Sequence, residues 1–240
     1  MLVNDVIKIS QDAGKIILSI YNQKNFKYCL KNDSSPLTEA DTKSNNHIVK
    51  ELKKINPLLP IITEEEASEP LEIRSKWDEY WLIDPLDGTK EFLNRNNEFT
   101  VNIALIKNNV PVLGVINIPA TGKTYWGSKK LGSFVINENK QQTRLMGNMN
   151  LKSNIRILSS RSHSGPEMDI IKKIKHHELI LAGSSLKFCL IANGEADAYL
   201  RLGQISEWDI AAGHAIVEYA GCKMRDLNGN RIKYNLNETF

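Results

Sequence analysis

The stretch Trp81-Leu82-Ile83-Asp84-Pro85-Leu86-Asp87-Gly88-Thr89 carries the most information about the fold and chemistry of this chain. Its apolar start predicts a buried strand that delivers Asp84 to the strand's C-terminal end, where ligands of open α/β sheets bind. Pro85 has no N–H and interrupts the ladder of hydrogen bonds, so a tight turn is expected over 85–88. In such a turn Asp84 and Asp87 point to the same side, with the Leu86 carbonyl between them. Asp-Pro and Asp-Gly are also ordinary turn signals, which leaves a purely structural turn as an alternative.

Further carboxylates suggest a metal site. Glu64 and Glu65 follow a short strand predicted over 60–63, and Asp209 lies at the start of a helix predicted near 208–220. A solvated acidic loop and a helix N-cap are their alternative roles. Together with the two aspartates and the carbonyl described above they form an all-oxygen set, which hard Mg²⁺ prefers. Two such ions could bind a water, lower its pKa and stabilise the oxygens of an in-line displacement.

A hydroxyl group stands next to this set in the sequence. Thr89 could hold the attacking water if a carboxylate accepted its own hydroxyl proton, and Asp41 is the candidate acceptor. Asp41 lies at the start of a predicted helix, so helix capping is its alternative role. Gly88 lets the backbone approach a ligand closely, and a helix beginning at Thr89 would offer free N–H groups to a phosphate. These residues predict a metal-dependent phosphomonoesterase.

The order of predicted elements is mixed. Amphipathic helices are expected over 3–23 and from Thr38 to the residue before Pro57, and a strand pair at 99–106 and 110–118. Further strands are predicted at 124–127, 133–136, 155–159 and 178–182, and further helices near 166–175 and 185–193. The mixture predicts an α/β (mixed α+β) chain with stacked helix and sheet layers.

A polar stretch over 140–153 is expected to join two halves of the chain. The N-terminal half, residues 1–150, is an α+β unit that would carry most metal ligands. The C-terminal half, residues 151–240, is an α/β unit that would complete the site, so that both halves form one functional unit.

Composition indicates which kinds of partner and which cellular location are expected. The net charge is +3, aromatic residues make up 7% and basic residues are spread evenly, so no nucleic acid is expected as a partner. Three widely spaced cysteines without a CxxC pair favour a reducing cytosol. The N-terminal residues break their apolar positions with Asn, Asp and Lys, so no secretory signal is expected, and no run approaches the roughly 18 apolar residues of a membrane span. A cytoplasmic monomer or homodimer is expected, with peripheral contact to the inner face of the cell membrane left open.

Taken together, the motifs resemble a known family. Asp84-Pro-Leu-Asp-Gly-Thr89, Glu64-Glu65 and Trp208-Asp209-x-Ala-Ala-Gly213 are similar to those of the inositol monophosphatase superfamily of lithium-sensitive, Mg²⁺-dependent phosphatases. Lys90-Glu91-Phe92, Ser160-Arg-Ser-His163 and Gly183-Ser-Ser-Leu-Lys187 resemble the bacterial 3′(2′),5′-bisphosphate nucleotidases of the CysQ type. The resemblance covers nearly the whole chain.

The resemblance implies a layered α-β-α-β-α sandwich of the sugar-phosphatase type with the site between its halves. It also implies hydrolysis of a bisphosphorylated nucleotide, adenosine 3′,5′-bisphosphate, to AMP and phosphate, in the setting of sulfur assimilation. The cofactor would be Mg²⁺, as two or three ions. The implied metal ligands are Glu64, Asp84, the Leu86 carbonyl, Asp87 and Asp209.

The resemblance assigns water activation to Thr89 and Asp41, and it places Lys31 on a mobile loop near the metals. The implied substrate contacts are Glu64, Leu86, Asp87, Gly88, Thr89, Ser160, His163, Ser184, Lys187 and Asp209. Without the resemblance, His163 would be a surface loop histidine and Lys187 a solvated helix residue. The two serines among these contacts would be turn or cap residues.

Two departures from the family pattern are present. The acidic cluster reads Thr-Glu-Glu-Glu where the family has Ser-Glu-Glu, and Glu64 is taken as the ligand. The chain ends at Phe240, a little before the family's usual C-terminal segment, so the resemblance supports an expectation for the metal site but none for the family's last strand. A P-loop at Ala120-Thr-Gly-Lys-Thr124 is excluded because Asn117 stands where its first glycine is required.

The open alternatives are an inositol monophosphatase or related sugar phosphatase and, from another class, a non-catalytic nucleotide-binding module.

Overall fold

The computed structural model describes residues 2–23, 28–30, 36–148, 153–162 and 165–238, and the elements below lie within those ranges. The helices are α1 (Leu2–Tyr21), α2 (Glu39–Ile55), α3 (Leu71–Arg74), α4 (Thr89–Leu93), α5 (Glu167–Ile171), α6 (Leu186–Ala192) and α7 (Glu207–Tyr219). The strands are β1 (Tyr28–Leu30), β2 (Pro36–Thr38), β3 (Ile61–Thr63), β4 (Glu79–Asp87), β5 (Thr100–Lys107), β6 (Val110–Ile118), β7 (Lys123–Ser128), β8 (Gly132–Ile136), β9 (Gln142–Arg144), β10 (Ile155–Ser160), β11 (His177–Ala182) and β12 (Ala198–Tyr199).

A seven-stranded sheet forms the centre of the fold, with the strand order β3-β4-β5-β6-β7-β8-β9. β3 and β4 pair in parallel, and the remaining neighbours are antiparallel. Asn108 and Asn109 connect β5 to β6 with φ angles of 50° and 60°, the left-handed pair that a tight hairpin turn requires. A second sheet is parallel, with the order β11-β10-β12, and β1 pairs with β2 alone.

Side chains of β4 alternate between two cores, as the pleat of a strand requires. Trp81 and Ile83 pack with the apolar faces of α1 and α2, whereas Tyr80 and Leu82 pack with α6 and α7 on the opposite face of the sheet. The second core also receives side chains from the small sheet, so α6 and α7 lie between the two sheets.

The small sheet has its own outer helix. Leu158 of β10 faces the core around α6 and α7, while the hydroxyl of the next residue, Ser159, contacts the sulfur of Met168 on α5 at 3.4 Å. The order of layers is therefore α1/α2, large sheet, α6/α7, small sheet and α5. The predicted α-β-α-β-α sandwich is confirmed.

The first two helices form for the reasons that the sequence indicates. In α1 the buried residues Val6, Ala13, Ile17 and Ile20 recur at helical spacing. α2 begins with a capping box between Thr38 and its third residue. None of the helices in the described ranges combines the length and apolar character needed to cross a bilayer.

Three predicted boundaries differ from the structure. β4 does not end at Asp84 but continues to Asp87, because the hydrogen-bond ladder resumes after Pro85 instead of stopping there. The helix predicted over 166–175 ends at Ile171, and the polar stretch predicted over 140–153 contains β9, an edge strand of the large sheet.

Candidate active site

Contacts with β5, with α2 and with the core hold the turn within β4 in place. The pairing of β4 with β5 shifts register between Asp84 and Asp87, which places an irregularity at Pro85 and Leu86. The buried hydroxyl of Ser44 on α2 donates to the Pro85 carbonyl at 2.7 Å. The Leu86 side chain is buried in the core against α1 and α2, while its backbone N–H donates to Asp84 Oδ1 at 3.1 Å. The apolar side chain thus anchors the turn and leaves the backbone and carboxylates facing a cleft.

Three carboxylates meet at this end of the cleft. Asp84, Asp87 and Asp209 each offer an oxygen, and these oxygens all lie within 4.8 Å of one another. Asp209 comes from the first turn of α7, where its Oδ2 atom accepts from the backbone N–H of Ser206 at 3.2 Å. The N-cap of α7 is Ser206, so the alternative role of Asp209 as the N-cap is wrong, although it does close the capping box.

Glu64 lies beside this cluster. Its backbone N–H donates to the Ile83 carbonyl at 3.2 Å, which extends the parallel pairing of β3 and β4 by one residue and places Glu64 next to Asp84. Glu64 lines the same cleft as the three aspartates. Glu66 turns towards α2 instead, where the Asn45 amide donates to its carboxylate at 2.8 Å. The geometry therefore favours Glu64 in the register taken from the sequence.

Burial and mutual repulsion make the cluster hard to ionise. Burial raises the pKa of Asp84 well above its usual value, and the charges of Glu64, Asp87 and Asp209 raise it further. Burial, followed by the charges of Asp87 and Glu64, raises the pKa of Asp209 to about 8. Burial also raises the pKa of Asp87, against the effects of the nearby Ser185 hydroxyl, the charge of Lys187 and the Asn102 amide.

A divalent cation would relieve this repulsion. The donors are all oxygens, carry several negative charges and face one cleft, which is the chemistry that fits Mg²⁺.

Asn102 and Ser185 orient the cluster. The Asn102 amide donates to Ser185 Oγ at 2.9 Å and to Asp87 Oδ2 at 3.4 Å, and the Ser185 hydroxyl donates to the Asp209 carbonyl at 2.7 Å. This chain of contacts joins β5, the start of α6 and the start of α7. Sequence analysis did not single out either residue. The available signal was an asparagine within the apolar run of β5, where a buried amide needs polar partners.

Thr89 and Asp41 are brought together, although they are distant in the sequence. The Thr89 hydroxyl lies 3.3 Å from Asp41 Oδ1 and 3.4 Å from the Leu86 carbonyl. Asp41 is buried, which raises its pKa, while hydrogen bonds from Thr38 oppose the rise. Thr89 lines the cleft at the acidic cluster. A hydroxyl with a buried carboxylate behind it therefore stands next to three further carboxylates.

Gly88 lies in the cleft where the acidic end meets the segment around Ser184. It adopts φ +90°, and a Cβ atom there would lie 3.0 Å from Ser184 Cβ and 3.1 Å from the Glu98 carbonyl. Only glycine fits this position without displacing a neighbour. The two parts of the chain can therefore approach closely at the phosphate-binding turn that the sequence predicts.

Ser160, Ser184 and Lys187 line the opposite wall of the cleft, whose volume is about 300 Å³. The Ser184 hydroxyl oxygen is buried and has no hydrogen-bond partner within the described ranges. Lys187 is only 5% exposed, and its Nζ atom donates to the carbonyls of Ser184 at 2.6 Å and Ala182 at 3.3 Å. The alternative role of Lys187 as a solvated helix residue is therefore wrong. His163 and Lys31 lie outside the described residues.

Further residues on this wall were missed by sequence analysis, namely Tyr199, Arg201, Gln204 and Ile205. Lys187 Nζ lies 5.4 Å from the centre of the Tyr199 ring, and an Arg201 nitrogen lies 3.9 Å from the buried carboxylate of Glu167. The segment carries no recognisable motif. The available signal was its position after a strand of the small sheet, where ligand sites of parallel sheets form.

The fold and the acidic cleft define a class of metal-dependent phosphatases. The model of the inositol monophosphatase family matches residues 3–239, and this chain belongs to that family.

Comparison with individual proteins shows which members of the family this chain resembles. The chain is 42% identical to the 3′(2′),5′-bisphosphate nucleotidase CysQ of Buchnera aphidicola, with 98% of this chain and 88% of that protein covered. It is 38% identical to the protein of the same name from Salmonella typhimurium, with 100% and 96% covered. The crystal structure of CysQ from Bacteroides thetaiotaomicron superposes with a TM-score of 0.84 at 37% identity, covering 97% of this chain and 92% of the other. The resemblance that the motifs indicated is thereby confirmed.

Proposed function

We propose that this chain is a Mg²⁺-dependent 3′(2′),5′-bisphosphate nucleotidase that hydrolyses adenosine 3′,5′-bisphosphate to AMP and phosphate. The observation that carries the proposal is the position of the Thr89–Asp41 pair beside the cluster of Asp84, Asp87 and Asp209. The similarity to nucleotidases named CysQ over almost the full length of the chain supports the choice of substrate.

The acidic end of the cleft would hold the metal ions, two or three in number. The ligands in this proposal are Glu64, Asp84, the Leu86 carbonyl, Asp87 and Asp209. When bound, Mg²⁺ supplies positive charge for the phosphate oxygens and lowers the pKa of a coordinated water.

Thr89 and Asp41 would orient the attacking water. Asp41 Oδ1 accepts the hydrogen bond of the Thr89 hydroxyl, which leaves the Thr89 lone pairs facing the cleft to accept a proton of the water. Burial raises the pKa of Asp41, so this carboxylate is a better proton acceptor than an exposed aspartate. The water oxygen would bond to phosphorus as its proton passes by way of Thr89 to Asp41, the ester bond to the nucleotide oxygen would break, and that oxygen would take a proton from a solvent water.

The opposite wall would receive the nucleoside and the remaining phosphate. Gly88 and Thr89 would contact the scissile phosphate, while Ser160, His163, Ser184 and Lys187 would contact the nucleotide. The charges of Asp87, Glu91 and Glu98 act on Lys187 against the effect of burial, which lowers its pKa. A substrate with two phosphate groups would thus meet metal ions at one end of the cleft and an ammonium group on the wall.

The proposed function also requires both halves of the chain. Residues 1–150 and 151–240 would act as one functional unit, since Asp209 comes from the second half and the other aspartates from the first. The partner would be a small bisphosphorylated nucleotide and not a nucleic acid. The enzyme would work in the cytoplasm as a monomer or homodimer, with peripheral membrane contact left open.

The test is phosphate release from adenosine 3′,5′-bisphosphate, with and without Mg²⁺, beside an inositol monophosphate at equal concentration. Mg²⁺-dependent release from the nucleotide, with much slower release from the inositol ester, supports the proposal. The opposite preference would indicate an inositol monophosphatase. Binding of the nucleotide without any release would indicate a non-catalytic nucleotide-binding module.

A further inference from the structure

Glu98 lies at the junction between the large and small sheets. Both of its carboxylate oxygens accept from the Arg161 guanidinium, Oε2 from Nε and Oε1 from Nη2, each at 2.7 Å. Oε2 also accepts from the backbone N–H of Gly183 at 2.7 Å. Arg161 directly follows β10 and Gly183 directly follows β11, so one side chain next to the large sheet holds two strand ends of the small sheet.

The two strand ends are also joined to each other. Arg161 donates from Nη2 to the Leu181 carbonyl at 2.9 Å and from its backbone N–H to the Ala182 carbonyl at 3.2 Å. Glu98, Arg161 and the end of β11 therefore form a closed ring of hydrogen bonds. A bidentate arginine–carboxylate pair fixes orientation as well as distance, which a single surface ion pair does not.

A second carboxylate reinforces this arrangement. Glu91 of α4 is buried and accepts from the Ser162 hydroxyl at 2.5 Å. A Cβ atom at Gly183 would lie 2.6 Å from Glu91 Cγ and 3.0 Å from Glu98 Oε2, so a side chain there would displace the side chains of these two glutamates. The contact between the two strand ends and the large sheet is therefore close as well as polar.

The residues held by this contact are those of the cleft wall opposite the acidic cluster. Ser160 immediately precedes Arg161, Ser184 immediately follows Gly183, and both line the cleft. The carbonyls of Ala182 and Ser184 bind the Lys187 ammonium. Asp84, Asp87 and Asp209 make none of their described contacts with Glu98 or Arg161. The side chain of Glu98 therefore contacts only the Ser160–Ser184–Lys187 side among these residues, while its backbone carbonyl lies close to Gly88.

We propose that Glu98 is a positioning residue: together with Arg161 it sets the distance between the acidic cluster and the Ser160–Ser184–Lys187 wall, and thereby the affinity for the nucleoside half of the substrate. The inference rests on the proposed nucleotidase function. Its consequence is that loss of Glu98 weakens nucleotide binding while phosphate binding and turnover are retained.

The experiment compares the full-length enzyme with Glu98→Gln and Arg161→Gln, using adenosine 3′,5′-bisphosphate as substrate. KM and kcat are measured, together with the competitive inhibition constants of AMP and of inorganic phosphate. Glu98→Gln should raise KM and the inhibition constant of AMP about tenfold, the effect of losing one charge-assisted contact. The inhibition constant of phosphate and kcat should change by less than about twofold. Arg161→Gln should give a smaller change in the same direction, because the contact of Glu98 with Gly183 is retained.

The matched control is Asp197→Asn. Asp197 forms a similar multiple contact with Arg156 at the other end of β10, with an N–O distance of 2.8 Å, away from the cleft residues. This variant should lower Tm without changing KM. If Glu98→Gln raised the inhibition constants of AMP and phosphate equally, or lowered kcat alone, the proposal would be overturned. An effect of Glu98→Gln without any effect of Arg161→Gln would also overturn it, because the charge of Glu98 alone would then explain the result.

A further measurement does not depend on catalysis. Amide hydrogen exchange in a peptide covering 181–187 should be faster in Glu98→Gln than in the wild-type protein and unchanged in Asp197→Asn. Unchanged exchange in Glu98→Gln would contradict the positioning role even if the enzyme is active. An inactive wild-type enzyme with the expected exchange result would contradict the proposed function and not the contact.

Discussion

The hydroxyl of Thr89 lies 3.3 Å from the Oδ1 atom of Asp41, which is 48 residues away in the sequence. The other oxygen of Asp41, Oδ2, accepts from the backbone N–H and the hydroxyl of Thr38, at 2.8 Å and 2.5 Å, and so closes the capping box of α2. Asp41 thus has two separate contacts. The capping role and the catalytic role that the sequence left as alternatives are structurally compatible.

Thr89→Ala should lower kcat by about 10²–10⁴-fold while leaving Mg²⁺ affinity nearly unchanged, since the hydroxyl orients water and is not a proposed ligand. Steady-state kinetics over a range of Mg²⁺ concentrations provide the measurement. Thr89→Ser is the control, because it keeps the hydroxyl, and it should recover most of the activity. A change in KM alone would mean that Thr89 only contacts the bound substrate.

Asp87→Asn should abolish activity and leave the fold intact. It removes one of three carboxyl groups whose oxygens lie within 4.8 Å of one another, so Tm without Mg²⁺ should be equal to or higher than that of the wild type. The rise in Tm on addition of Mg²⁺ should be lost, because ligand-induced stabilisation requires binding to the folded state. Thermal unfolding with and without Mg²⁺ tests this, with Asp169→Asn, an exposed aspartate, as control. Near-normal turnover at saturating Mg²⁺ would refute the assignment.

Lys187→Met keeps the apolar stem of the side chain beside Tyr199 but removes the ammonium group. KM for adenosine 3′,5′-bisphosphate should rise by about one to two powers of ten, the effect of losing a charge-assisted hydrogen bond. Hydrolysis of an inositol monophosphate, where detectable, and inhibition by inorganic phosphate should be nearly unchanged. Lys172→Met is the matched control, since this lysine is 70% exposed. Equal losses on both substrates would place Lys187 in the structural core or at the metal end.

Acid sensitivity of the fold should depend on His214. This residue of α7 is fully buried against the Tyr234 hydroxyl, at 2.9 Å from its Nδ1 atom. Burial lowers its pKa from 6.5 to about 4, against the charge of Glu218 and with smaller contributions from Arg231 and Arg225. Between these pH values the unfolded chain binds more protons at this position than the folded one. The stabilisation is therefore complete above about pH 6.5 and is lost as the pH falls towards 4.

The size of this contribution is on the order of 3 kcal/mol in the free energy of unfolding. Urea unfolding at pH 7.5 and pH 4.5 measures it as a difference between the wild-type protein and His214→Gln, whose stability should depend less on pH. His176→Asn is the control, because His176 is exposed and its φ of 58° is tolerated by asparagine. The same pH dependence in all three proteins would disprove the assignment to His214.

Local patterns predicted the stacked helix and sheet layers and much of the candidate site, while the order of the layers followed from the family resemblance. The apolar run before Asp84 and the capping sequence at Thr38 each specify a structure within a few residues, so their elements are placed almost correctly. The turn after Asp84 was predicted as the end of the strand, because a missing N–H at Pro85 is visible in the sequence but the resumption of pairing at Asp87 is not. That resumption depends on Thr100 of the neighbouring strand.

The remaining parts of the site are long-range contacts. Ser185 and Arg201 line the cleft, and the buried Asn102 contacts Ser185 and Asp87. These residues meet because the two sheets bring β5, α6 and the segment after β12 together, and neither spacing nor composition indicates this. For Lys187, sequence analysis gave the wrong environment. Its position on a short helix suggested a solvated side chain, whereas the fold buries it beside Tyr199.

Helix α7 carries Asp209, and its apolar residues also pack on the face of the large sheet that belongs to the second core. All seven strands of the large sheet end by Arg144, so a growing chain contains all the strands of this sheet before α7 is synthesised. Until then, Ile106, Ile116 and their neighbours on one face of the sheet lack their helical cover. The docking of α7 beside α6 therefore completes the burial of this face, and it also supplies the third carboxylate of the cluster. A nascent or misfolded chain with an unfinished core also lacks a complete acidic cluster, so that occupancy of the metal site would report directly on completion of folding.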